Sequence, residues 1–355
     1  LTLFGIVMIS SSSMVISSEK FGSNYHFVSR QIISFIIGIG LMLLTYFIDY
    51  RFWRKNALWM FVITIGFLIL VFIPGIGHEF GGAKRWIGFG SMLFQPSEIV
   101  KLAFIIYLAA WLDKKGENIK SFLYGFLPFI VLIGIVGFLI MNQPDFGTLS
   151  VIFFTSVAMF YVSGASYSHL GLGLGLVGVL AFILIKAAPY RMQRFLVFLN
   201  PAVDSQGASY HLNQALLAIG TGGWLGLGFG QSRQKYLYLP MPHTDSIIAI
   251  IAEELGFLRT SLVLLLFFIL AVKGFQIAKN APDNFSRLLA TGITFWIIIQ
   301  TFINVASMLN IMPMTGVPLP FISYGGSSLM ILLAAVGIML NISKASVKGQ
   351  SYGKV

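Results

Sequence analysis

The chain has 355 residues, of which 57% are hydrophobic, 15% aromatic and only 10% charged. A soluble domain carries about 25% charged residues, so this composition cannot build a solvated surface; a soluble protein or a nucleic-acid binder is excluded despite the net charge of +11. The absence of cysteine removes disulfides, thiolate metal sites and cysteine nucleophiles together.

A bilayer core about 30 Å thick needs roughly 20 apolar residues in a helix. In chain order the candidate stretches are 1–18, 31–48, 57–73, 96–112, 122–141, 146–163, 170–188, 258–272, 288–309 and 322–341. Polar connections separate them, such as Asp113–Lys120 and Asn280–Asn284. Helices are the expected spanning form, because a barrel would show alternating strands of about ten residues. The expected fold is all-α: a polytopic membrane protein with about ten transmembrane helices, forming a single integral membrane domain over 1–355.

Basic residues orient the bundle. One set of alternate connections and the tail carry Arg51, Arg54, Lys55, Lys114, Lys115, Lys120, Lys273, Lys279, Arg287, Lys344, Lys348 and Lys354 with only four acids, Asp49, Asp113, Glu117 and Asp283. Those segments, and both termini, are therefore expected in the cytoplasm. The long connection 189–257 then falls on the outer side. Its apolar patches, Arg194–Leu199, Leu212–Ile219 and Ile247–Leu255, are too short to span and predict interfacial or re-entrant helices. Between them, six glycines in Gly220–Gly230 fit either tight backbone packing or a close ligand approach.

Gly173, Gly175 and Gly178 match G-x-G-x-x-G, but they lie inside an apolar span and follow no strand, so the dinucleotide reading is rejected. The five histidines show no metal-ligand spacing. The acids carry more information. The eight that are not cytoplasmic, Glu19, Glu79, Glu98, Asp145, Asp204, Asp245, Glu253 and Glu254, fall on the outer side or at outer span ends. A proton-coupled transporter would place acids near the midplane, so chemistry at the outer surface is favoured.

Four constellations stand out. Pro96 suits the first turn of a span, putting Glu98 and Lys101 at i,i+3 on one face. Asp145 precedes another span, where a carboxylate caps the helix. Arg191, Arg194, Arg233 and Lys235 collect in the long outer connection, suited either to anionic headgroups or to a phosphate cradle. Asp245 begins an apolar helix in the same connection, and partial burial would raise its basicity.

Gln95-Pro-Ser-Glu98, Gln143-Pro-Asp145-Phe-Gly-Thr148, His243-Thr-Asp245, Ala252-Glu-Glu-Leu-Gly256 and Pro318–Ser327 together resemble the SEDS family of bacterial peptidoglycan polymerases. The division-type branch (FtsW) is closer than the elongation-type branch (RodA). The resemblance implies ten transmembrane helices and a glycosyltransferase that polymerises lipid II at the outer face of the cytoplasmic membrane. It implies Asp245 as the essential aspartate, with Arg85, Gln95, Glu98, Lys101, Asp145 and Gln214 as supporting polar positions. On this reading Arg85, Gln95, Arg191, Arg194, Gln214, Arg233 and Lys235 contact substrate, while Glu98, Lys101 and Asp145 support the cavity. A class B penicillin-binding protein is the implied partner, together with other division or elongation proteins. No metal ligand is identified, although Mg2+ or Mn2+ could share the pyrophosphate charge. A lipid II flippase and a non-catalytic division scaffold are the alternative functions. The chain departs from the family at Ser246, where Phe is common, and at Arg259.

Overall fold

The computed structural model describes residues 1–80, 83–89, 92–187, 189–200 and 209–352. Asp204, Lys354 and the side chain of Lys348, all counted in the charge balance above, lie outside that description, as does the 201–208 part of the long connection.

The chain runs α1 (Thr2–Phe21), α2 (His26–Phe47), α3 (Tyr50–Leu70), β1 (Gly77–Phe80), β2 (Ala83–Phe89), β3 (Met92–Phe94), α4 (Pro96–Lys115), α5 (Leu127–Met141), α6 (Phe146–Val162), α7 (Tyr167–Ala187), α8 (Pro189–Leu199), α9 (Tyr210–Gly222), α10 (Ile247–Lys279), α11 (Asn284–Met308) and α12 (Gly326–Tyr352). A short turn of π-helix, Phe122–Phe126, extends the N-terminal end of α5. Each of the ten predicted stretches falls on one of these helices. Among the described residues, seven helices are long and apolar enough to cross a membrane. The other three are α4, α6 and α7. The first carries Glu98 and Lys101 near its start and Asp113, Lys114 and Lys115 at its end; α6 has only 17 residues.

The all-α expectation needs one addition. Between α3 and α4, the strands Gly77–Phe80, Ala83–Phe89 and Met92–Phe94 form a three-stranded antiparallel sheet in the order β1-β2-β3, with His78 opposite Trp86 and Gly88 opposite Leu93. β1 and β3 are only four and three residues long, and β2 does not alternate apolar and polar residues, so the sequence carries no period-two signal here.

The chain, read from sequence as one membrane domain, divides into two compact units, each discontinuous in sequence. Unit 1 comprises 1–36, 175–270 and 300–326; unit 2 comprises 37–174, 271–299 and 327–355. Unit 2 is built on α3, α4, α5 and α6, with buried Val100, Phe104, Ile106, Leu108, Phe129 and Phe160 at its centre. Its caps follow the sequence: Pro96 opens α4, and Asp145 caps α6 by accepting the Thr148 amide.

In unit 1 the patches of the long connection become α8, α9 and the first part of α10. Ile247 to Ile251 are 0–4% exposed, so this half-helix is enclosed by protein. Non-helical backbone at Gly256 (φ 77°) separates it from the apolar second half. The glycine-rich segment packs here. The Leu227 and Gly228 amides donate to the Glu253 and Glu254 carbonyls, and the Phe257 amide donates to the Gly223 carbonyl. A Cβ on Gly256 would lie 2.2 Å from the Gly226 nitrogen, and one on Gly226 would lie 2.3 Å from the Glu254 oxygen. Backbone contact, rather than ligand approach, is thus the reading the geometry supports for these glycines.

Gly256→Ala combines a steric clash with a left-handed φ, so it should destabilise unit 1 by about 3 kcal/mol or more. Thermal melting of the purified variant in detergent measures this. A melting point equal to that of the unsubstituted protein would contradict the close-packing account.

Candidate active site

The expected site residues fall in both units. In unit 2, Arg85 reaches from β2 to the turn before α6. Its Nε donates to the Gln143 carbonyl at 2.9 Å, another guanidinium nitrogen donates to the Pro144 carbonyl, and Nη1 lies 3.9 Å from Asp145. Asp145 also accepts the Thr148 hydroxyl at 2.9 Å. The predicted cap is therefore present, and Arg85 clamps the same turn. Gln95 precedes α4 and donates its backbone N–H to Ser327 Oγ at 3.3 Å. Glu98 and Lys101 form the predicted pair at 2.9 Å, both nearly inaccessible, with the ammonium also 5.2 Å from the centre of the Trp296 ring. A buried pair of this kind is costly to break from one side.

In unit 1, two adjacent carboxylates organise the chain from 230 to 235. Glu253 accepts the Ser232 hydroxyl and the Arg233 and Gln234 amides. Glu254 accepts the Ser11 hydroxyl at 2.7 Å, the Ser232 amide at 3.4 Å and the Lys235 ammonium at 3.2 Å. Lys235 is completely buried and also donates to the Gly230 carbonyl and to Ser11 Oγ. The sequence reading placed Lys235 on substrate; the geometry instead gives its charge to Glu254. Arg233, held at its backbone by Glu253, presents an exposed side chain.

Asp245 lies in the turn before α10, and its surroundings fix its backbone. Asn304 Nδ2 donates to the Asp245 carbonyl and to the Val317 carbonyl, both at 2.8 Å. The Ser323 hydroxyl donates to the Thr244 carbonyl at 2.6 Å, and the Tyr324 amide donates to the His243 carbonyl at 2.8 Å. The Pro318–Ser327 motif thus braces the His243-Thr-Asp245 motif. The Asp245 side chain is half-buried, and the Thr244 hydroxyl donates to its Oδ1 at 2.9 Å. A Cβ on Gly316 would stand 3.7 Å from Oδ2. Among the described residues no cation lies within ion-pair distance of this carboxylate.

Around it stand α8 and α9. Arg194 is exposed and donates to the Met314 carbonyl at 3.2 Å; Arg191 is half-buried and has its own interactions. His211 and Gln214, one turn apart on α9, share a face. His211 Nε2 sits 2.6 Å from Ser246 Oγ. Burial holds His211 below its ordinary value near 6.5; Asp245 opposes that shift and Arg194 adds to it. His243 is buried between Phe27 and Tyr324, and burial, with Lys20 adding, pushes it down to about 4. Sequence reasoning missed Glu253, Glu254, Ser11, His211 and Asn304. The Glu253-Glu254 pair stood inside a quoted motif, but its partners are distant in sequence. Among the described residues no group of three or more His, Asp or Glu is placed to hold a metal ion.

A half-buried carboxylate in a braced turn before a protein-enclosed half-helix, within a chain of membrane-length helices, defines a polytopic membrane protein with a polar site. A family model of FtsW/RodA/SpoVE cell cycle proteins matches residues 1–348, and the chain belongs to that family. It is 43% identical over 347 residues to the stage V sporulation protein E of Bacillus subtilis, covering 98% of this chain and 94% of that protein. It is 40% identical over 344 residues to a protein of Geobacter sulfurreducens named probable peptidoglycan glycosyltransferase FtsW, covering 97% and 92%. Among solved structures, a chain from a study of polymerization and crosslinking by a peptidoglycan synthase complex matches with a TM-score of 0.78 at 27% identity, covering 96% of each chain. The rod shape determining protein RodA of Thermus thermophilus matches with a TM-score of 0.69 at 27% identity, covering 97% and 95%.

Two predictions follow from the charges. Glu254→Gln leaves the buried Lys235 ammonium unbalanced and should cost about 3–5 kcal/mol, with the Lys235→Met, Glu254→Gln double variant recovering part of it. Thermal melting of the three proteins reads this; an additive double variant would contradict the pairing. For His243, the neutral form is favoured on folding, so its contribution is full above about pH 6.5 and is lost as pH falls towards 4. Melting temperature should therefore drop across that window, and His243→Gln should flatten the drop.

Proposed function

We propose that this protein is a peptidoglycan glycosyltransferase that polymerises lipid II into β-1,4 glycan strands, with Asp245 as the general base. The observation that carries this reading is the division of labour among the acids. Asp145 is used as a cap, Glu98 is paired with Lys101, and Glu253 and Glu254 are committed to the 230–235 segment. Asp245 alone among these carboxylates is half-exposed and stands on a braced backbone with, among the described residues, no cation within ion-pair distance.

Polymerisation needs the acceptor's 4-hydroxyl to displace pyrophosphate from the anomeric carbon of a lipid-linked donor. Asp245 takes the hydroxyl proton as the new glycosidic bond forms, and the pyrophosphate, still esterified to its lipid, leaves with the electrons of the broken anomeric C–O bond. A positioned base contributes roughly 10²–10⁴-fold. Direct attack inverts the anomeric centre. Charge growing on the leaving group calls for fixed cations. Arg194 and Arg233, exposed in unit 1, suit that role through their guanidinium forks, with Arg191 beside them and Gln214 on the His211 face of α9. Lys235 is reassigned to the wall of the site, because its ammonium is buried against Glu254. Arg85, bound to the 143–145 turn, shapes unit 2, and Gln95 stays in the substrate set. A divalent cation (Mg2+ or Mn2+) would arrive with the pyrophosphate, since such ions bind through phosphates and one or two carboxylates.

The charge distribution supports a multi-pass protein of the bacterial cytoplasmic membrane with both termini inside and Asp245 facing outward. The partner is a class B penicillin-binding protein, a reading supported by the similarity to a chain of a peptidoglycan synthase complex. A division role is supported by the FtsW relatives.

Purified protein with labelled lipid II tests the assignment. Asp245→Asn should lower the polymerisation rate by at least about 10²-fold, and a rate equal to that of the unsubstituted protein would contradict it. Arg233→Ala should chiefly raise KM, and unchanged kinetics would remove Arg233 from the cradle.

A further inference from the structure

Ser246 is the residue at which this chain departs from the family pattern beside Asp245, and its side chain is completely buried. A hydroxyl has one proton to give. The Pro240 carbonyl, 3.1 Å from Ser246 Oγ, takes it. His211 Nε2, 2.6 Å from the same oxygen, is then the donor, an assignment made by counting protons. Neutral His211 therefore carries its proton on Nε2, and Nδ1 is the basic nitrogen.

We infer that His211 is a positioning residue for Asp245, and that its protonation slows the reaction. The hydrogen-bond chain from His211 Nε2–H through Ser246 Oγ–H to the Pro240 carbonyl ties the first turn of α9 to the turn that carries Asp245. Asn304 and Ser323 hold the other side of that turn. A proton added at Nδ1 leaves this chain of bonds intact but sets a positive charge beside the carboxylate. That charge weakens the affinity of Asp245 for the acceptor's proton. Among the described residues, the charged groups acting on His211 are Asp245, which favours the imidazolium, and Arg194 on α8, which opposes it. Burial also opposes it, so the neutral, working form prevails at neutral pH. The inference rests on Asp245 being the base.

Rates of lipid II polymerisation by the purified full chain, measured from about pH 5 to pH 8.5, test it. His211→Gln keeps an N–H donor for Ser246 but cannot titrate. It should retain kcat within about threefold at pH 8 and show an acid limb that is shallower and displaced to lower pH. His211→Ala and Ser246→Ala should each lose about tenfold in kcat with KM within about twofold, and melting temperatures will show whether either variant is misfolded. A His211→Gln profile that overlays the unsubstituted protein overturns the inference, whatever the two alanine variants do. Asp245→Asn in the same series separates the two claims. If it is inactive at every pH while the His211→Gln profile overlays, only the positioning role fails. If it is fully active, the base assignment fails, and the positioning role with it.

Discussion

The buried carboxylates of Glu253 and Glu254 hold the geometry of unit 1 together. In a chain this apolar, a buried charge needs a partner and hydrogen bonds for its remaining lone pairs. Both oxygens of Glu253 and the Oε1 of Glu254 find them in Ser11, Ser232, Lys235 and the amides of Arg233 and Gln234. Because both acids sit on the half-helix that starts just after Asp245, the loop they fasten and the site they border are one construction. The glycines at 226 and 256 serve the same end, since only residues without Cβ let the two backbones meet there.

That constraint explains how the acids divide. Among the described residues, the deeply buried carboxylates are taken up by a cap, a pair or a set of amides, and Asp245 is left half-buried without an ion-pair partner. Rigidity around it comes from neutral groups, Asn304 and Ser323, which fix the backbone without neutralising the side chain. A catalytic base needs this combination of fixed position and uncompensated charge.

Much of this was legible in the sequence. The ten apolar stretches located the helices because hydrophobic length is a strong signal. Short-range chemistry was equally readable: Asp145 capping at Thr148, and Glu98 with Lys101 one turn apart. Long-range pairing was not. Nothing in the sequence tells that Ser11 meets Glu254 across 243 residues, so Lys235 read as a surface cation when it is an interior one. His211 looked like one scattered histidine among five, because its link to Ser246 depends on how α9 packs against the turn before α10. Of the three strands before α4, two were too short to register as a pattern and β2 lacks the apolar-polar alternation that would mark it.

The central claim is that Asp245 is the carboxylate left over from structure. Melting temperatures of Asp245→Asn and Glu253→Gln, measured side by side in the same detergent, test it most directly. The account predicts that Asp245→Asn melts within about 2 °C of the unsubstituted protein, since the side chain is only half-buried, has no ion-pair partner among the described residues, and keeps in the amide an oxygen to accept the Thr244 hydroxyl. Glu253→Gln should melt far lower. A loss in Asp245→Asn as large as that in Glu253→Gln would mean that Asp245 is structural after all.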